Sequence, residues 1–181
     1  MPDGVQRGAT SVVTVDVRRS GRRFDADAVL ELGADLATVW ATITDYAALP
    51  SFMPGIRACR VLERSAPGAG REQLVVEQDG EFRFLAFAQT MKVLLQVEHV
   101  DRRIATARAE HFELGVLKQR AIDIFEGRYE LTPRRRGVRL RYSAVIGLVL
   151  PPPPVIGSFA VRQNLAAQLQ AVAAEVARRS A

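Results

Sequence analysis

The stretch AVIGLVLPPPPVIGSFAV, residues 144–161, runs for eighteen residues without a charge and carries four prolines in its middle. A membrane-spanning helix needs about 20 consecutive apolar residues, and each interior proline removes a backbone hydrogen bond. The stretch therefore predicts the end of a buried strand, a stiff proline connector and the first turn of a helix. The residues that follow predict a long amphipathic helix, because apolar side chains recur at three- and four-residue spacing. They are Val161, Leu165, Leu169, Val172 and Val176.

The strand before the prolines alternates in polarity. Its even-numbered residues from 138 to 150 are apolar or aromatic, whereas Arg139 and Arg141 begin the odd-numbered set. This alternation predicts one face in the core and one in solvent. In the preceding strand, Gly127 is predicted to be a bulge or a bend point. By the same parity the inward-facing residues of that strand are Phe125, Gly127, Tyr129 and Leu131.

Working outward, residues 56–150 consist almost entirely of strand-like segments with short turns between them, which predicts an antiparallel meander. The predicted separators include residues 67–70, 79–80, 101–102 and 133–137, which are rich in turn-forming residues.

Residues 11–32 alternate as well, and Ser20-Gly21 divides them into a predicted N-terminal hairpin. Asp35 is then a predicted N-cap for a short helix, and a second short helical turn spans residues 46–52. The apolar stripe of the first helix comprises Leu36, Val39, Trp40 and Ile43.

The totals favour one domain. A chain of 181 residues with 48% hydrophobic content suits a single globular domain with a substantial core, here residues 11–181 after a flexible tail at 1–10. The net charge of +5 is mild, so no specific nucleic-acid partner is expected, and residues 134–136 are predicted to be a solvated hairpin tip. Because Cys59 is the single cysteine and the N-terminus lacks an apolar signal core, we expect a cytoplasmic protein.

Several kinds of chemistry lack their usual motifs. One cysteine and two histidines supply too few ligands to predict a metal site. The sequence contains no Walker loop, no glycine-rich dinucleotide fingerprint and no G-x-S-x-G elbow. We therefore predict neither a metal nor a cofactor, and we expect Cys59 to be a buried structural thiol.

The order of the predicted elements and several local sequence segments resemble a known family. VWATITDYAALPSFMPGIRACRVLER, residues 39–64, resembles the opening of the polyketide cyclase/dehydrase and lipid-transport family within the START-like (SRPBCC) superfamily. FEGRYELTPRRRGVRLRYSAVIGLVLPPPP, residues 125–154, resembles the final hairpin of that family, and NLAAQLQAVAAEVARR is similar to its closing helix. The resemblance covers residues 24–179. It implies an α+β helix-grip fold, in which a curved antiparallel sheet wraps around a long C-terminal helix, with two short helices after an early strand.

The resemblance also implies an internal cavity for a hydrophobic ligand. We favour non-catalytic binding or transport of a hydrophobic small molecule such as a lipid, a quinone or a polyketide-like compound. An aromatic polyketide cyclase/dehydratase-type enzyme is one alternative. A ribosome-association-type interaction module is another, because such relatives share the D-Y-x-x-L-P-x-F-x-P pattern of residues 45–54. Neither the oligomeric state nor a catalytic motif follows from the sequence.

Polar residues on inward-facing positions are the first candidate ligand contacts, because a buried polar group without a partner costs about 1 to 3 kcal/mol. Tyr129 and Tyr142 could orient a ligand carbonyl, although core tyrosines with partners are more common. Asp123, if no bulge intervenes, and His111 could transfer protons or have structural roles. The full set of candidate ligand-binding residues is Trp40, Phe52, Met53, His111, Asp123, Tyr129, Tyr142, Asn164 and Gln168.

Apolar residues form a second candidate site. If the second helix and residues 151–156 meet at one end of the cavity, Phe52, Met53 and those residues would form a lid or a membrane-docking lip. The alternative is that they fill the core. Asn164 and Gln168 flank the stripe of the long helix, where they would line the cavity or face solvent, and Trp40 would contact ligand from a core position.

Overall fold

The computed structural model describes residues 13–84, 87–115, 122–149 and 154–181. The predicted tail at residues 1–10, Leu150 and the proline connector at 151–153 lie outside the described residues. The strands are β1 (Thr14–Ser20), β2 (Arg23–Leu32), β3 (Ile56–Arg64), β4 (Arg71–Phe84), β5 (Phe87–Val100), β6 (Ile104–Leu114), β7 (Ile122–Arg134) and β8 (Gly137–Leu148), and the helices are α1 (Leu36–Thr44), α2 (Leu49–Phe52) and α3 (Pro154–Ser180).

The strands form one antiparallel, eight-stranded sheet in the order β1-β2-β8-β7-β6-β5-β4-β3. Because β2 pairs with β8, the N-terminal hairpin lies beside the last strand. The chain then leaves β2 through α1 and α2 and reaches β3 at the far edge of the sheet. α1 contacts β7, β8 and α3, whereas α2 contacts β3. The predicted helix-grip fold with its meander and long C-terminal helix is confirmed.

The predicted start of α1 is confirmed at Asp35. Its carboxylate accepts hydrogen bonds from the backbone N–H and from the hydroxyl of Thr38, both at 2.9 Å, so it satisfies a donor that the first helical turn leaves free. Val39 and Ile43 of the predicted stripe are buried, while Leu36 and Trp40 are half-buried.

α3 buries the predicted stripe along most of its length. Leu165, Leu169, Val172 and Val176 are buried, and Val161 is half-buried. Among the described residues, no helix combines the length and the apolar composition that a bilayer crossing requires.

The turn predicted at residues 79–80 is wrong. β4 continues through Asp79 and Gly80, which pair with Lys92 and Met91 of β5, and the pairing extends to Phe84 and Phe87. Glycine is needed at position 80 for a different reason, because a Cβ there would collide with the backbone carbonyl of Gly55. Gly80 therefore permits a close backbone approach inside a strand.

Candidate functional site

The side of the sheet that the helices cover is termed the inner face. Residues paired across adjacent strands lie side by side, so this face is built of transverse rows. One row carries no side chain larger than a methyl group where it crosses β2, β8, β7 and β6, and this segment is termed the small-residue row. Its members are Ala26 of β2, Ala144 of β8, Gly127 of β7 and Ala107 of β6.

The adjacent row carries two tyrosines. Tyr129 and Tyr142 pair directly across β7 and β8, and their ring centroids are 4.7 Å apart. Neither hydroxyl has a hydrogen-bond partner among the described residues. Burial raises the pKa of Tyr129 to about 12, and it also raises the pKa of Tyr142, with Tyr129 as a second cause. Both phenols are therefore protonated donors at neutral pH.

The absence of a side chain at Gly127 leaves space for the Tyr142 hydroxyl. The Tyr142 Oη atom lies 3.1 Å from the position that a Cβ at Gly127 would occupy, so this hydroxyl reaches over the small-residue row. The pairing of β7 with β8 is continuous through Gly127, and the predicted bulge at this residue is wrong. The register shift lies between Ile122 and Ile124 instead.

The inner face differs on the two sides of the tyrosine pair. On one side Leu30, Leu131 and Leu140 form a paired row and are 1%, 2% and 0% exposed; this row is termed the packed end. On the other side, beyond the small-residue row, Phe24 of β2 is buried, whereas its neighbours on β8 and β7 are half-buried. This open end consists of Phe125, Ile146 and Leu148.

The tyrosine row continues towards the far edge of the sheet. Tyr129 pairs with Ala105 of β6, Ala105 pairs with His99 of β5, and His99 pairs with Glu72 of β4. His99 is buried, and its ring meets the ring of Trp40 edge-on at 5.0 Å between centroids.

Three hydrogen bonds connect this row to the turn between α1 and α2 and to Arg64. The Tyr46 hydroxyl lies 2.9 Å from Nε2 of His99, and Nδ1 of His99 lies 3.1 Å from Oε2 of Glu72. Arg64 donates from Nη1 to the other oxygen of Glu72 at 2.7 Å. Tyr46, His99 and Glu72 together are termed the Tyr46–His99–Glu72 chain.

The Glu72 carboxylate determines which atoms donate hydrogen bonds in the Tyr46–His99–Glu72 chain. Because an ionised Glu72 only accepts, Nδ1 of His99 carries the proton, and Nε2 accepts from the Tyr46 hydroxyl when the ring is neutral. Burial lowers the pKa of His99 and outweighs Glu72, which acts in the opposite direction. His99 is therefore neutral at neutral pH.

The sequence analysis did not predict the Tyr46–His99–Glu72 chain. The alternation of β5 was the available signal, because His99 follows Val93, Leu95 and Val97 on its inward-facing positions. Those three apolar residues are buried. A polar residue on an apolar parity needs a partner.

The two predicted acid–base residues are not on the inner face. A register shift between Ile122 and Ile124 turns Asp123 outward, where it is exposed beside Gly147. His111 pairs with Leu94, an outward position of β5, and its exposed ring bonds Glu113 at 2.9 Å. The structure therefore does not bring these residues to the tyrosine pair.

The proposed lip falls partly outside the described residues, because it includes residues 151–153. Phe52 is half-buried with the Arg179 guanidinium 6.0 Å from its ring centroid, and Met53 is buried. Arg179 lies in the last turn of α3, which begins at Pro154 and has 27 residues, or about 40 Å at 1.5 Å per residue. Phe52 therefore lies at the opposite end of α3 from Pro154.

Other predicted residues fall where the patterns placed them. Cys59 is buried, and burial raises its pKa to about 11, which suits a structural thiol. Asn164 and Gln168 are half-buried on α3. The basic tip at residues 134–136 is exposed, as predicted, and borders a surface pocket of about 610 Å³ with the start of α1, away from the tyrosine pair.

Comparisons with known proteins agree with this architecture. A START superfamily protein from Mycobacterium smegmatis has a TM-score of 0.69 at 16% identity, over 85% of this chain and 97% of that chain. The Zhui aromatase/cyclase from Streptomyces sp. R1128 has a TM-score of 0.63 at 16% identity, over 87% and 95%. A STAR-related lipid transfer protein from Xanthomonas axonopodis has a TM-score of 0.64 at 16% identity, over 91% and 93%.

These structures share the fold with the chain. No curated protein matches the chain. Residues 8–178 match the family described as polyketide cyclase / dehydrase and lipid transport, which extends the resemblance to include β1. The chain belongs to the polyketide cyclase/dehydrase and lipid transport family.

Proposed function

We propose that the protein binds or transports a hydrophobic small molecule that carries a hydrogen-bond-accepting oxygen, and that this ligand lies on the inner face over the small-residue row. The observation that carries the proposal is the pair of inward-facing hydroxyls, Tyr129 and Tyr142, that have no partner among the described residues. A ligand oxygen would accept a hydrogen bond from these hydroxyls, and each such bond contributes about 0.5 to 1.5 kcal/mol.

The surroundings supply the apolar part of the site. The small-residue row presents nothing larger than methyl groups to the inner face, and the half-buried open end offers surface to an apolar ligand. Burying that surface is worth about 25 cal/mol per Å². Packing and two hydrogen bonds are together sufficient for reversible binding, which requires no covalent step.

The polar groups favour a neutral oxygen. Tyr129 and Tyr142 are protonated donors, which suit a carbonyl, a quinone or an ether oxygen. A carboxylate would need a cation beside it when it leaves water. Arg64, on the far side of the inner face, is engaged with Glu72.

The experiment is native mass spectrometry of freshly purified protein, followed by denaturing extraction and identification of what is released. We expect a stoichiometric apolar compound with a carbonyl, quinone or ether oxygen. The double substitution Tyr129→Phe, Tyr142→Phe should reduce its occupancy about tenfold or more, because two hydrogen bonds are lost. Ser143→Ala is the matched control, since Ser143 carries a hydroxyl next to Tyr142 on the outer face.

Two results would contradict the proposal. One is a protein that retains no compound on purification and takes up none from a total lipid extract. The other is equal occupancy in the double variant and in the control.

A further inference from the structure

The basic tip of the β7–β8 hairpin differs from the rest of that hairpin in its charge balance. The other arginines of these two strands pair with carboxylates: Arg128 with Glu130, Arg139 with Glu31 and Arg141 with Asp27. By contrast, Arg134, Arg135 and Arg136 have no hydrogen-bond or ion-pair partner among the described residues. Their positive charges are therefore not neutralised by the protein.

Gly137 determines where this tip lies. Its φ is +119°, and a Cβ there would collide with the backbone carbonyl of Leu32. The next residue, Val138, pairs with Leu32 across β8 and β2. Strand pairing and the missing side chain therefore hold the tip against the segment that joins β2 to α1.

The surface pocket of about 610 Å³ opens between the tip and that segment. Arg134 and Arg136 line it, whereas Arg135 does not. The volume is within the range of small-molecule sites. Its apolar walls are Ala34, Leu36, Pro133 and Val138. Because Val138 precedes Leu140 of the packed end on β8, this pocket is separate from the open end, at which the proposed hydrophobic ligand binds.

Asp35 is the one carboxylate among the residues that line the pocket. Its two oxygens accept hydrogen bonds from the backbone N–H and the hydroxyl of Thr38, so the start of α1 is capped by its own side chain. The attraction for an anion must therefore come from the two arginines. Two guanidinium groups against one carboxylate leave the pocket with a net positive charge.

We propose that this pocket, termed the arginine pocket, binds a phosphate monoester that carries an apolar organic group. Each guanidinium can donate two parallel hydrogen bonds to an oxyanion, so two of them suit the three terminal oxygens of a phosphate monoester better than the two oxygens of a carboxylate. The ester carries about −1.5 to −2 charges at neutral pH, which Arg134 and Arg136 balance. The pocket is much larger than a phosphate group, and its apolar walls suit the organic part.

The experiment titrates the full, ¹⁵N-labelled chain with phenyl phosphate and follows the backbone amide signals by NMR. We expect the largest shifts at the amides of Gly33, Ala34 and Gly137, which line the arginine pocket. Phenyl phosphate should bind more tightly than inorganic phosphate, because its ring contacts the apolar walls. Equal affinity for the two would overturn the organic ester as the ligand class.

Substitutions at the tip separate a site from general attraction to positive charge. Arg134→Gln and Arg136→Gln should each weaken the binding of phenyl phosphate about tenfold, because charge-assisted hydrogen bonds are lost. Arg135→Gln is the matched control, since it removes the same charge from the same turn but not from the pocket. It should weaken binding about twofold at most, the long-range effect of one exposed charge. All three side chains are exposed, so folding should be unchanged.

A fourth variant should increase the affinity. Asp35→Asn removes the opposing charge from the pocket, while asparagine still caps α1. Phenyl phosphate should then bind about threefold more tightly. A gain in affinity cannot result from a loss of folding, so this variant tests the position of the site independently of the arginines.

Vesicles identify the source of the phosphate group. Phosphatidylcholine vesicles that contain phosphatidic acid present a phosphate monoester, whereas those that contain phosphatidylglycerol present a diester. Binding to the phosphatidic acid vesicles that phenyl phosphate displaces supports a lipid headgroup as the source. Binding of phenyl phosphate without binding of vesicles supports a soluble ester.

Three further results would overturn the proposal. The first is a titration in which phenyl phosphate does not shift the amides of the arginine pocket. The second is equal weakening by Arg135→Gln and Arg134→Gln, which would show that binding follows net charge alone. The third is equal binding of the two kinds of vesicle, which would exclude selection of a monoester. None of these results bears on the hydrophobic ligand, because its proposed site lies at the open end.

Discussion

The packed end and the open end of the inner face are built on the same strands and follow the same alternation of inward and outward residues. The packed end carries leucines that are at most 2% exposed, whereas the open end lies beyond a row of alanines and a glycine and stays half-buried. Side-chain size, not polarity, separates the two ends. One end therefore stabilises the fold, and the other is the end at which we propose that a ligand binds.

Substitution to alanine should separate the two ends most clearly. Leu140→Ala at the packed end should lower the free energy of unfolding by about 2 to 5 kcal/mol, because the change leaves a cavity in a fully buried site. Ile146→Ala, on the same strand at the half-buried open end, should cost about 1 kcal/mol. Urea unfolding followed by the fluorescence of Trp40 measures both. Equal losses would show that the open end is as tightly packed as the other.

Gly127→Ala should affect binding and stability in opposite directions. The new Cβ would lie 3.1 Å from the Tyr142 hydroxyl and displace it, so ligand affinity should fall about tenfold, the equivalent of one hydrogen bond. The free energy of unfolding should stay the same or rise by up to about 1 kcal/mol, because glycine weakens a strand interior. Titration with the extracted ligand and urea unfolding measure the two effects; unchanged affinity would place the ligand elsewhere.

The polar row between the two ends should make stability depend on pH. The pKa of His99 is lowered in the folded protein, so the unfolded chain takes up a proton first as pH falls below the ordinary value of 6.5. The free energy of unfolding should therefore decrease as pH drops through this value. Urea unfolding between pH 7.5 and 5.5 (about one unit on each side) measures the slope. His99→Gln should reduce the slope and His111→Gln should not.

The smallest effect is expected at the far end of α3, where packing is again tight. Arg178 and Arg179 bond the buried Glu175 at 2.7 Å and lower its pKa to about 2. The stabilisation is complete above the ordinary value of 4.5 and is lost as pH falls towards 2. Acid unfolding of Glu175→Gln should therefore show a weaker pH dependence between these values. An unchanged acid transition would show that the two arginines do not stabilise the ionised Glu175 side chain in the folded protein.

The sequence predicted most of the fold because alternation and turn residues act locally. It could not predict the register shift at Ile122, which turns Asp123 outward, because a bulge depends on the partner strand. It also misread Gly80, whose neighbour Gly55 lies in the turn before β3. The tyrosine pair followed from parity, whereas the Tyr46–His99 hydrogen bond joins residues that are 53 positions apart. Which residues face inward is readable from periodicity; which of them meet is not.

The pairing of β2 with β8 has a consequence for the order of folding. Asp27 and Arg141 are bonded across these strands although 114 residues separate them, so a long loop must close before the sheet is continuous. The small-residue row needs β2, β6, β7 and β8 together. A nascent chain that ends before residue 137 has neither Tyr142 nor the strand that joins β2 to β7. If a ligand binds at the proposed site, it therefore cannot template the early stages of synthesis and stabilises only the completed sheet.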